Sequence, residues 1–99
     1  MERNYLRELE NIKKDILLDI KKKLDEKNGE IDFSKSDSFL NIAIKDDYEE
    51  WESRYLRKLI LNEDGTIDAI CEEGTLKDIR YLTTDTLFDI LSFIREVNA

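Results

Sequence analysis

The chain has no histidine, no proline, one cysteine and only three glycines, and its apolar runs never exceed a few residues. Each absence excludes a class of chemistry. Without histidine there is no imidazole base, no Ser–His or Cys–His nucleophile and no histidine-ligated zinc. A lone Cys71 cannot close an internal disulfide or build a thiolate cluster. Apolar runs this short exclude a membrane-spanning helix. The start MERNYLRELENIKKD has no apolar stretch of the kind a signal peptide needs, so the expected setting is the cytosol. Gly29, Gly65 and Gly74 do not open a helix after a strand, so there is no phosphate loop.

What is present is charge. Of 99 residues, 24 are acids and 16 are bases, a net charge of −8, and 40% of the chain is charged against 40% hydrophobic. That length is room for one domain, residues 1–99, in which nearly every large apolar side chain is needed for the core. The charge is uneven. Residues 1–29 hold eight bases and seven acids, and residues 30–99 hold eight bases and seventeen acids. An acidic surface repels phosphate, so direct nucleic-acid binding is not expected. The one basic cluster, Lys21, Lys22 and Lys23, splays around a helix and is interleaved with Asp19, Asp25 and Glu26. Glu10 and Lys14, Asp19 and Lys23, Lys21 and Asp25, and Lys22 and Glu26 stand at helix-pair spacing instead.

From about Arg3 to Lys27 the apolar residues Tyr5, Leu6, Leu9, Ile12, Ile16, Leu17, Ile20 and Leu24 recur every three or four positions, which predicts one amphipathic helix. Lys21, Lys22, Lys23 and Lys27 suit its negative end, and Asn28-Gly29 supplies a left-handed exit. A helix this long outreaches a compact body of this size, so one end is expected to overhang. Ile12, Ile16 and Ile20 should be buried. Leu18, opposite the stripe, is a candidate dimer contact.

Beyond Gly29 the pattern shortens to alternation. Glu30 to Phe33 and Phe39 to Ile44 read as strands, joined by a five-residue turn from Ser34 to Ser38, and are expected to form an antiparallel hairpin. Arg54 to Leu61 and Thr66 to Glu72 flank Asp64-Gly65, a strong hairpin signal. Cys71 is then a small core residue, or a half-buried one, before it is a reactive thiol. A fifth extended piece at about 76–81 is left open. Thr83, Thr84 and Asp85 precede Leu87, Phe88, Leu91, Ile94 and Val97, a capped helix from about Asp85 to Val97 with Leu87 and Leu91 buried. The fold class is α+β: a long N-terminal helix, an antiparallel sheet of four or five strands and a C-terminal helix, both helices on one sheet face.

Between the second and third strands lies Asp46-Asp47-Tyr48-Glu49-Glu50-Trp51-Glu52, five acids and two aromatics in seven residues. The spacing of Tyr48, Trp51 and Tyr55 fits a helix face, and that of Trp51 and Tyr55 also fits one side of a strand. A loop feeding a strand at about Ser53 is preferred, because the Asp64-Gly65 hairpin needs a strand before it. Aromatics within a charged segment make a binding anchor inside a steering field, so Asp46, Asp47, Tyr48, Glu49, Glu50 and Trp51 form the candidate partner-binding site. The competing reading has Trp51 and Tyr55 merely covering the edge of the core. The same carboxylates could hold a divalent cation for hydrolysis, although no base beyond the flanking Lys45 and Arg54 is placed to bind a substrate phosphate. Asn62 to Asp68 has the middle of an EF-hand loop, but the register puts Ile60 and Cys71 where hard oxygen ligands belong, so a β-turn is expected.

The order long helix, strands, Asp64-Gly65 hairpin and Leu82-Thr83-Thr84-Asp85-Thr86-Leu87 before a closing helix resembles small uncharacterised α+β proteins of gut Bacteroidales and their mobile elements, over about residues 55–95. The resemblance implies an accessory protein and carries over neither an activity nor a site residue. The expected function is a small acidic, non-catalytic binding or regulatory module that docks on a basic partner protein and needs no cofactor, metal or membrane. The alternatives are a metal-dependent hydrolase built on Asp46, Asp47, Glu49 and Glu50, and a structural homodimer through the first helix.

Overall fold

The computed structural model describes residues 5–45 and 48–97. Helix α1 (Tyr5–Asp25) is followed by strands β1 (Glu30–Asp32), β2 (Asn41–Lys45), β3 (Trp51–Leu61), β4 (Ile67–Cys71) and β5 (Gly74–Leu76), a single 3-10 turn (Ile79–Tyr81) and helix α2 (Thr84–Val97). The expected α+β class is what forms: an antiparallel five-stranded sheet with a helix before it and a helix after it.

Local chemistry explains where the elements stop. Helix α1 ends as Asn28 takes φ 61 and the Gly29 N–H reaches back to the Leu24 carbonyl at 2.7 Å. At the other end of the chain Thr83 caps α2, accepting from the Thr86 N–H at 3.2 Å. The Thr86 hydroxyl donates to the Ala43 carbonyl at 3.1 Å, so the start of α2 also satisfies an outward carbonyl of strand β2. Between β3 and β4, Asn62 and Gly65 close the expected turn, with Gly65 at φ 90. The Asp64 carboxylate takes both the Thr66 hydroxyl (2.7 Å) and the Thr66 N–H (2.9 Å), which hold it below the usual carboxylate pKa. The fifth extended piece is β5, limited to 74–76, before the chain turns into the 3-10 segment.

Strands β1 and β2 do not pair with each other, contrary to the expected hairpin. Both run antiparallel to β3, β1 against Leu59 and its neighbours and β2 against residues 51–55. They share one edge of β3. The Phe33 N–H meets the Arg57 carbonyl and the Leu56 N–H meets the Leu40 carbonyl on that side, while the Tyr55 carbonyl faces the Glu72 N–H on the other. The eleven residues of β3 are long enough to template two short strands end to end, and the serine-rich stretch loops out between them, with Ser34 N–H held by the Asp32 carboxylate at 2.8 Å. Strand β3 also starts at Trp51, two residues before the expected Ser53.

A bulge at Arg57 decides which side chains of β3 face inward. Before it the even position Leu56 is buried. After it the odd position Leu59 is buried. With Ile31, Phe33, Ile42, Ile44, Ile67, Ala69, Cys71 and Leu76 these make the covered face, against which both helices pack. From the helices come Ile16, Ile20 and Leu24, and Leu87, Ile90, Leu91, Phe93 and Ile94. Phe33 and Phe93 meet at a ring separation of 5.1 Å. Burial pushes the Cys71 thiol up to about 11, with Glu73 adding to the shift, so Cys71 is a core residue and a poor nucleophile.

The expected burial of Ile16, Ile20, Leu87 and Leu91 holds, and that of Ile12 does not. Tyr5, Leu6, Leu9 and Ile12 all stand exposed on the first half of α1. The described residues span 50 Å along their longest axis against 26 Å along the shortest, with a radius of gyration of 14.0 Å. A compact chain of this length would have one of about 13 Å. The helix-spaced charge pairs of α1 also close no ion pair among the described residues; Asp19 instead reaches Arg95 of α2 at 3.5 Å. Among the described residues, no helix is long and apolar enough to cross a membrane.

Candidate partner-binding surface

In β2 the buried Ile42 and Ile44 alternate with exposed Asn41, Ala43 and Lys45, so the odd positions point away from the helices. The register sets Tyr55 opposite Asn41, Ser53 opposite Ala43 and Trp51 opposite Lys45. All six side chains lie on the face that neither helix covers. Phe39, two residues before Asn41, is exposed in phase with them. From the level of Phe39 to that of Trp51 is six residues of strand, so Phe39, Tyr55 and Trp51 mark out about 20 Å of an open, aromatic-bearing surface.

Strand β4 ends at Cys71, opposite Leu56, and just past that end the Glu73 carboxylate accepts from the Tyr55 N–H with contacts of 2.9 and 3.2 Å. Nearby, Glu52 pairs with Arg54 at 2.8 Å and Arg57 with Glu72 at 3.0 Å. The Lys45 ammonium sits 5.2 Å from the Trp51 ring centre, a cation–π contact between opposite residues of the two strands. Beyond it the hairpin turn carries Tyr48, 86% exposed, with Glu49 and Glu50 exposed beside it. Glu49 has φ 61, a left-handed conformation uncommon for a residue other than glycine, asparagine or aspartate.

Of the residues singled out from sequence, Tyr48, Glu49, Glu50 and Trp51 come together at the end of the β2–β3 hairpin. Asp46 and Asp47 lie outside the described residues. Trp51 and Tyr55 share one side of a strand, as their even spacing indicated, and that side is open to solvent instead of covering a core edge. Two residues of this surface were missed, Phe39 and Lys45. The alternation through Ile42 and Ile44 contained the signal, since it turns both 39 and 45 outward. Leu18 lies elsewhere, exposed on α1 in the wall of a separate groove. Among the described residues no group of three carboxylates or thiols converges as a metal would require.

The chain matches no protein-family model, and neither the curated proteins nor the solved structures compared with it include a significant match. The chemistry of this surface is therefore what bears on function. Exposed aromatic faces bind apolar and cationic groups, and the carboxylates of Glu49 and Glu50 at the turn beside them favour cations.

Proposed function

We propose that the protein is a non-catalytic binding module, and that its open sheet face and the β2–β3 turn dock on a basic surface of a partner protein in the cytoplasm. The observation that carries this reading is the exposure of Phe39, Trp51 and Tyr55 along the open sheet face, with Tyr48, Glu49 and Glu50 exposed at the turn beside it. Large aromatics supply most of the energy at protein interfaces, and acids around them raise the encounter rate with a cationic partner. Lys45 over Trp51 shows the geometry in miniature, since a partner lysine or arginine can stack in the same way.

The test is affinity capture from the native cell with wild-type protein and with a Trp51→Ala/Tyr55→Ala variant, at low and high salt. The expected partner is basic, is lost from the variant, and dissociates as ionic strength rises. Capture that ignores both the substitutions and the salt overturns the reading.

One further observation favours a second reading, a homodimer through α1. Leu6, Leu9 and Ile12 form an exposed apolar stripe in the part of the chain whose charges nearly balance, so two copies would not repel there. Sedimentation velocity over a hundredfold concentration range decides it, a constant monomer coefficient excluding the dimer.

A further inference from the structure

On the far flank of α1 from the Leu9 stripe, Lys14, Leu17, Leu18 and Lys21 wall a groove of about 310 Å3. Its other wall is the β3–β4 turn at Gly65, Thr66 and Ile67, and Ile79 and Arg80 complete it. The interior is apolar and the bases stand around it. In a chain of net charge −8 the charged side chains that line it, Lys14, Lys21 and Arg80, are all bases, with Asp64 and Asp78 close to Arg80 alone. Arg80 is held by Asp78 in a two-pronged contact and counts for little. Lys14 and Lys21 form no ion pair among the described residues, and neither Glu10 nor Asp25, each four residues away on α1, closes on them. Lys21 bends over the turn: a Cβ placed on Gly65 would stand 3.2 Å from its ammonium nitrogen.

We infer that this groove binds an acidic, amphipathic helical segment of another protein, with an apolar side chain seated on Leu17, Leu18 and Ile79 and a carboxylate at each lysine. The dimensions select this occupant. Seven residues separate Lys14 and Lys21, about 10.5 Å along α1. A docking helix with acids at i and i+7 and leucines at i+3 and i+4 presents the complementary spacing, the helix-in-groove mode of recognition. The volume lies at the low end for small-molecule sites, and the groove is open to water along its length, so it covers a side chain better than it encloses a whole ligand. Charge complementarity sets the sign. This surface is distinct from the aromatic one, and its partner has the opposite charge.

The probe is a synthetic eighteen-residue helical peptide carrying Glu-x-x-Leu-Leu-x-x-Glu, titrated into the 15N-labelled full chain. Amide shifts are expected at residues 14–21, 65–67 and 79–80, and not at 48–55. Lys14→Glu/Lys21→Glu, at exposed and half-exposed positions, should keep the wild-type circular dichroism spectrum and weaken the peptide roughly tenfold or more, as should exchanging both peptide acids for glutamine. Should the double variant fail to fold, the glutamine peptide against the wild-type chain gives the same readout. The inference is overturned if the peptide leaves those amides unmoved, if the glutamine twin binds equally well, or if decanoate moves them and the peptide does not, which would make the groove a site for a small amphipathic acid.

Discussion

The two halves of α1 carry the same apolar stripe and meet opposite fates. Ile16, Ile20 and Leu24 are buried, with Ile20 fully enclosed, while Leu6 is 76% and Ile12 49% exposed. Periodicity is equal in both halves, so it sets which side of the helix is apolar and says nothing of how far the sheet reaches beneath it. The sheet has one long strand, and the helix runs past what the sheet can cover. The second half packs into the core, and the first leaves its apolar stripe exposed.

The strongest way to break this comparison is to truncate the same residue type in both halves. Ile20→Ala should cost roughly 2–5 kcal/mol in urea denaturation, while Ile12→Ala should change stability by less than about 0.5 kcal/mol. Equal losses would mean that the first half is also packed in solution. Next in size is a pH effect from the covered sheet face. The Cys71 thiol ionises at about 11 in the folded protein. In an unfolded chain it does so near 9.0, so stability should be intact below about 9 and fall by as much as ~2–3 kcal/mol as pH rises through 11. Cys71→Ala should flatten that part of the profile. Thr86→Val comes next, since it leaves the Ala43 carbonyl without its side-chain donor and should cost about 1–2 kcal/mol. The smallest expected effect sharpens the comparison most. Changing Leu6, Leu9 and Ile12 together to glutamine, which keeps helix propensity, should alter the melting temperature little at micromolar protein. If the stripe is a dimer contact, the wild-type melting temperature will rise with concentration and that of the variant will not.

Much of the architecture was legible. The helix stripe, the Asn28-Gly29 exit, the Asp64-Gly65 turn and the Thr83 cap are local signals, each acting within a few residues, and each appears where the spacing places it. The β1–β2 arrangement was not legible. A five-residue serine-rich link is compatible both with a hairpin and with a loop that returns to the same neighbour. Only the length of β3, which offers one edge to both strands, selects the second. For the binding surface, the separation of Trp51 and Tyr55 correctly put them on one side of a strand. Which side, and that Phe39 and Lys45 join them, depended on the burial of Ile42 and Ile44.

By itself the sequence determined the element types, the chain reversals and the excess of acid over base, because propensity, capping and turn chemistry act between near neighbours. It also determined that Cys71 faces the core, through the alternation around it. Tertiary structure alone decided that the stripe of α1 is half covered, that the sheet leaves its aromatic face open, and that Lys14, Leu18 and Lys21 of the helix stand beside the Gly65 turn, 44 residues of sequence beyond Lys21. Those outcomes depend on where one element ends against another. Burial is a property of such encounters in space, and no local pattern encodes where they occur.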